Sequence, residues 1–130
     1  MDKLSESDIN VVFTPHLLPI NRGILSTIYL EVNEKWKGSL TEEKIYEIYN
    51  EFYKNEHFIR ATENLPEIKN VKNSNICEIG VRYDSKTGNI IVISAIDNLI
   101  KGAGGQAVQS MNIMFGFEEN MGLEFLSMYI

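Results

Sequence analysis

The chain has 130 residues, 44% of them hydrophobic and 23% charged, with a net charge of -6 and one cysteine. This length fits a single domain that buries roughly two-thirds of its unfolded surface, and the composition is that of a globular protein, not a disordered or fibrous one. Acidity with dispersed Lys and Arg argues against nucleic acid as a partner, a lone Cys77 excludes an internal disulfide and fits a reducing compartment, and no apolar run reaches the roughly 20 residues of a membrane span, so a cytoplasmic protein away from membranes is expected.

Residues 9–14 (INVVFT) are apolar and β-branched and predict a strand, ended by Pro15 and Pro19 in a stiff loop, TPHLLPINRG. ILSTIYLEV at 24–32 predicts a second strand, with Ile24, Ser26, Ile28, Leu30 and Val32 on one face and Leu25, Thr27, Tyr29 and Glu31 on the other. Ser39 or Thr41 caps a helix over 42–54, Ser39 and Glu42 having capping-box spacing. Ile45, Ile48, Tyr49 and Phe52 fall at i, i+3, i+4 and i+7 and predict its buried face. HFIRA at 57–61 reads as a short strand, followed by the polar, irregular TENLPEIKNVKNSN, of a length at which loops carry function. ICEIGVRY at 76–83 and IIVISAI at 90–96 flank DSKTGN, whose Asp84, Gly88 and Asn89 suit a hairpin turn. The second of these runs into DNLIKGAGGQ and a helix in which Ala107, Val108, Met111 and Met114 or Phe115 share a face. The tail from Phe117 to Ile130 carries large apolar residues but no clear element. The pattern predicts an α+β (mixed α/β) fold with at least one antiparallel pair.

Two segments hold the residue types that chemistry needs. Gly102-Ala103-Gly104-Gly105, preceded by Asp97, Asn98 and Lys101, opens a helix; bare backbone, free N–H groups and one cation suit a phosphate or a cofactor edge. The same glycines equally suit steric relief at a strand-to-helix junction, and neither GxxxxGK[ST] nor GxGxxG occurs. The proline-stiffened loop presents His16, Asn21 and Arg22, and the Arg22 fork can take a carboxylate or phosphate; the alternatives are a surface ion pair for Arg22 and a backbone hydrogen bond for His16. Cys77 sits in an apolar strand with no base beside it and reads as a core residue, not a nucleophile. His57 reads as a helix-end partner or an exposed residue. No histidine has metal-ligand spacing to the cysteine, so no metal site is expected.

FTPHLLPINRGILSTIY at 13–29, NSNICEIGVRYDSKTGNIIVISAIDNLIKGAGGQAVQSMN at 73–112 and MFGFEENMGL at 114–123 resemble, in order, the C-terminal half of the N-acetyl-gamma-glutamyl-phosphate reductases. That resemblance implies the fold of the substrate domain of the glyceraldehyde-3-phosphate and aspartate-semialdehyde dehydrogenase superfamily, a mixed, largely antiparallel sheet with helices packed on one face. It also implies NADP-dependent reduction of an acyl phosphate to N-acetylglutamate semialdehyde in arginine biosynthesis. In such chemistry a cysteine thiolate displaces phosphate and hydride then reduces the thioester. The family's nucleophile, acid/base histidine and dinucleotide fingerprint lie in its N-terminal half, so no catalytic residue is expected in this chain, which alone should be inactive. By resemblance, Asn98, Lys101, Gly102 and Ala103 border the cofactor, and Arg22, His16 and Asn21 the anionic substrate. Residues 1–101 are expected to form the substrate and oligomerisation domain, incomplete at its N-terminus. Residues 102–130 are expected to form a helix and tail that pack on a dinucleotide-binding partner half. The implied partners are that half and further copies of the chain, and the alternative role is a non-catalytic interaction module on the same scaffold.

Overall fold

The computed structural model describes residues 10–124; Ile9 of the first expected strand and the 125–130 end of the tail lie outside them. β1 (Ile24–Glu31), β2 (Ile59–Thr62), β3 (Cys77–Asp84) and β4 (Asn89–Ile96) form one sheet in the order β1-β4-β3-β2. The β1–β4 and β3–β4 pairs are antiparallel and β2–β3 is parallel, so the sheet is mixed and mostly antiparallel. The α-helices among the described residues are α1 (Glu42–Tyr53), α2 (Ile68–Val71) and α3 (Gly105–Phe115). No helix among the described residues is long and apolar enough to cross a membrane.

Directly opposed residues share a face, and one face therefore carries Ile79, Val81 and Tyr83 of β3 beside Ile90 and Val92 of β4. α1 closes over it. Its Ile45 joins Ile79, Val81 and Val92 in the buried cluster, and Leu40, Tyr46, Tyr49 and Tyr53 pack around them. Burying each large apolar side chain contributes about 1.5–3 kcal/mol. The predicted face of α1 is thus rotated: Ile48 and Phe52 are 58% and 75% exposed, because the sheet reaches only the Ile45–Tyr46–Tyr49–Tyr53 side. Thr41, not Ser39, is the N-cap, its Oγ1 accepting from Lys44 N–H, whereas Ser39 Oγ donates to the Trp36 carbonyl. The acids of the first turn, Glu42 and Glu43, complement the helix dipole.

The hairpin forms as predicted. Asp84 Oδ1 accepts from Lys86 N–H, its Oδ2 accepts from the Thr87 hydroxyl, and Gly88 turns the chain at φ 75°. HFIRA supplies β2, and the polar stretch after it is more ordered than its sequence suggests. It folds α2 and buries Val71, Ser74 and Asn75, lying against the sheet face opposite α1, where Pro66 and the Asn64 carbonyl abut Gly80.

One expected strand fails to form. Residues 10–14 form no strand; Val12 and Phe13 are 87% and 84% exposed. β-Branched residues favour a strand only where a neighbour completes the ladder, and none among the described residues offers one. β1 does form, but Ser26 alone of its eight residues escapes exposure. It is the sheet edge beyond the reach of α1, so both of its alternating faces are left open.

Candidate functional site

The loop that ends at Gly23 and the turn that leaves β4 are zipped together. Gly23 N–H donates to Asn98 Oδ1 at 2.8 Å, and one residue back in each segment Arg22 Nε lies 2.7 Å from Asp97 Oδ2. The Arg22 contact has the separation of an ion pair but not the alignment of a directed hydrogen bond. Gly23 is required here: its φ is 112°, and a Cβ would lie 2.2 Å from Ile68 Cγ2.

Asp97 is the hub. It is fully buried, and its Oδ1 accepts from the N–H groups of Leu99 (2.8 Å) and Ile100 (2.9 Å) while Oδ2 accepts from Asn73 N–H at 2.6 Å. Its backbone carbonyl accepts from Gly102 N–H. Burial by itself would raise this carboxyl, but the N–H groups of Asn73 and Ile100, the adjacent Arg22 and Leu99 N–H outweigh it and hold the group below the usual carboxylate range. Asp97 is therefore a buried anion at neutral pH, and two distant segments, at Arg22 and Asn73, meet its own 97–102 turn there.

From Ile100 to Gly104 the backbone is a single π-helical turn that passes directly into α3. Gly105 meets Asn75 Oδ1 at 2.4 Å and the Ile100 carbonyl at 2.8 Å from its would-be Cβ, so here the glycine is steric relief. Gly102 and Gly104 differ. A Cβ would make ordinary contacts or touch little at either, and with Ala103 they are exposed. Nothing within the described chain demands their smallness.

Lys101 points inward. Its Nζ donates to Gln109 Oε1 at 2.7 Å and stands 5.4 Å from the Phe58 ring centroid; burial lowers its pKa, against the nearby Cys77, Glu119 and Glu56. His16 is exposed and donates through Nδ1 to its own loop at the Thr14 carbonyl, 3.1 Å away. Asn21 is exposed, and of the three loop residues only Arg22 is drawn to the turn. Cys77 is half-buried against the core, and burial pushes its thiol up, offset in part by Lys101. The net effect of burial leaves the thiol raised, as in a core residue. His57 lies 3.8 Å from Glu124. No group of His, Cys, Asp and Glu among the described residues could hold a metal.

α3 is polar inside and apolar outside. Gln109 and Asn112 are buried: Gln109 bonds Asn75, Lys101 and Glu119, and Asn112 Nδ2 donates to the carbonyls of Glu119 and Met121. Ala107, Met111, Met114 and Phe115 form the exposed side. The stripe expected from sequence is therefore present, without a partner for it among the described residues.

Sequence reasoning missed Asp97 as the organising residue. The signal was there in part, since an Asp followed by a helix start is disposed to accept the N–H groups two and three residues on. Its pairing with Arg22 and Asn73, and the burial of Gln109 and Asn75, depend on segments distant in sequence.

The described residues thus form a mixed, mostly antiparallel sheet flanked by helices, with an exposed edge strand. Residues 1–98 match the family described as semialdehyde dehydrogenase, dimerisation domain, and the chain belongs to that family. It is similar along nearly all of its length to proteins named N-acetyl-gamma-glutamyl-phosphate reductase. It is 50% identical to that of Thermoanaerobacter pseudethanolicus over 99% of this chain and 37% of the relative. With that of Caldicellulosiruptor bescii it shares 54% identity over 94% and 35%, and with that of Geobacter metallireducens 50% over 97% and 36%. The chain thus spans little more than a third of the length of these relatives.

Proposed function

We propose that this chain is the C-terminal portion of an NADP-dependent N-acetyl-gamma-glutamyl-phosphate reductase, acting in the cytoplasm in arginine biosynthesis and inactive without a dinucleotide-binding half. The observation that carries this reading is the identity of about one residue in two to reductases of that name across almost the entire chain. The apolar outer side of α3 supports the need for a second half: a helix bonded to its own domain through polar groups and displaying Met111, Met114 and Phe115 suits an apolar partner surface. On this reading residues 1–101 supply the substrate and oligomer domain, and 102–130 reach onto the dinucleotide half.

The reduced cofactor, NADPH, would supply the hydride when bound. The residues present fit its edge in part. Asn98 spends its amide oxygen on Gly23 and keeps Nδ2 for an outside acceptor, and exposed Gly102 and Ala103 let a flat group approach the backbone. Lys101 fits less directly, since its ammonium is held by Gln109 and Phe58; its contribution to the cofactor wall would come through backbone and field. Arg22 serves the anionic substrate, with its Nη groups lacking a partner among the described residues, while His16 and Asn21 line the loop beside it.

Further copies of the chain are the second proposed partner. Leu25 and Tyr29 of β1 are 50% and 69% exposed beside the half-buried Ile91 and Ile93 of β4, a surface suited to self-association in a dimerisation-domain family. The test combines this chain with dinucleotide-binding halves from its relatives and follows phosphate-dependent NADP reduction by N-acetylglutamate semialdehyde. Turnover in the mixture and none with either part alone is expected. Lack of turnover with every half would favour the non-catalytic interaction module.

A further inference from the structure

We propose that Asp97 is a positioning residue whose buried carboxylate locks Arg22 and the 97–100 turn together, so that the Arg22 fork and the Asn98 amide nitrogen meet a ligand as hydrogen-bond donors. This inference rests on the reductase reading for the identity of the ligand, but its geometry stands apart from that reading. A fully buried carboxylate holding three backbone N–H groups and one guanidinium nitrogen is more than a turn requires; a turn Asp alone needs the two N–H groups of Leu99 and Ile100. The extra contacts go to Asn73 N–H and to the Arg22 guanidinium, on two segments distant from this turn in sequence. The consequence is a fixed polarity. Arg22 is anchored through Nε and leaves its Nη groups to a ligand, and Asn98 is anchored through Oδ1, which sets its amide orientation and leaves Nδ2. Both outward groups are donors, so the ligand must bring acceptor oxygens, whether those of an acyl phosphate or those of a dinucleotide.

Asp97→Asn breaks the lock with little change in size, because the amide nitrogen can neither accept from Asn73 N–H nor attract Arg22. Amide hydrogen exchange on the full chain reads the lock without any activity. The Gly23 amide, held by Asn98, should exchange at least tenfold faster in Asp97→Asn, with Val81 and Val92 in the sheet unchanged. Gly23 exchange left as it was, or equal loss of protection throughout the sheet, overturns the proposal. Should Asp97→Asn not fold, Arg22→Ala provides the same reading from a half-exposed position: faster Gly23 exchange supports the lock, and unchanged exchange overturns it.

In the enzyme reconstituted with a dinucleotide-binding half, KM should rise tenfold or more in each single variant, with kcat changed less. The double variant should be no worse than the poorer single one, because one residue acts through the other. A rise in KM for the acyl phosphate identifies the substrate as the ligand, and a rise for NADPH identifies the dinucleotide. Losses that multiply in the double variant, or KM values that do not move, overturn the proposal. A reconstituted wild type without turnover sinks the reductase reading while leaving the exchange result to decide the lock.

Discussion

α1 and α3 are helices of 12 and 11 residues in the same small protein, yet they bury opposite chemistry. α1 sets Ile45 and three tyrosines against the sheet and is held by the hydrophobic effect. α3 sets Gln109 and Asn112 against its own domain and turns Met111, Met114 and Phe115 outward. The first buries an apolar side within the chain and leaves only Ile48 and Phe52 of its large apolar residues mostly exposed, whereas the second buries polar groups and turns its apolar side outward. On the proposed reading, α3 spends its hydrogen bonds inward and its apolar area outward because a neighbour covers that side, and the contrast separates the part of the fold packed on the sheet from the part proposed for association.

The contrast can be broken most severely at Ile45. Ile45→Ala should cost about 2–5 kcal/mol by opening a cavity under α1, read as a lower urea midpoint of the chain. On the α3 side, Gly105→Ala should cost about 1–3 kcal/mol, since the new methyl meets Asn75 and Ile100. Gly104→Ala, one residue earlier, where the methyl makes only an ordinary contact with the Leu99 carbonyl, should gain up to about 1 kcal/mol from helix propensity; thermal melts of the pair check both signs. Thr41→Ala should remove the α1 cap at a cost of about 1 kcal/mol. Met114→Ser should change the stability of the chain by less than about 0.5 kcal/mol yet weaken its association with a dinucleotide-binding half, measurable by calorimetry. Equal destabilisation by Met114→Ser and Ile45→Ala would erase the distinction between the two helices.

A pH series separates the Asp97 hub from both. Its carboxyl titrates lower in the fold than in the unfolded chain, so between the ordinary value of about 3.9 and the lower folded one the unfolded state binds more protons. Its contribution is therefore present in full above the ordinary value and is lost as pH falls through the folded one. Stability of the wild type should decline more steeply with acid across that window than stability of Asp97→Asn.

Much of the fold was legible along the chain because it is local. The hairpin follows from alternating β-branched strands around an Asp and Gly turn, α1 from a capping residue and a 3.6-residue period, and the packing of Cys77 against the core from its apolar strand. The glycine-rich joint, the stiff loop ending at Arg22 and the outward stripe on α3 could likewise be named from residue types. Tertiary structure alone decided which side of α1 meets the sheet, why residues 10–14 are not a strand, and that Lys101 turns inward while Arg22 turns toward Asp97. Those outcomes depend on which segments lie opposite one another, 24 residues apart for Asn73 and Asp97 and 75 for Gly23 and Asn98, and no periodicity within a single element carries that information.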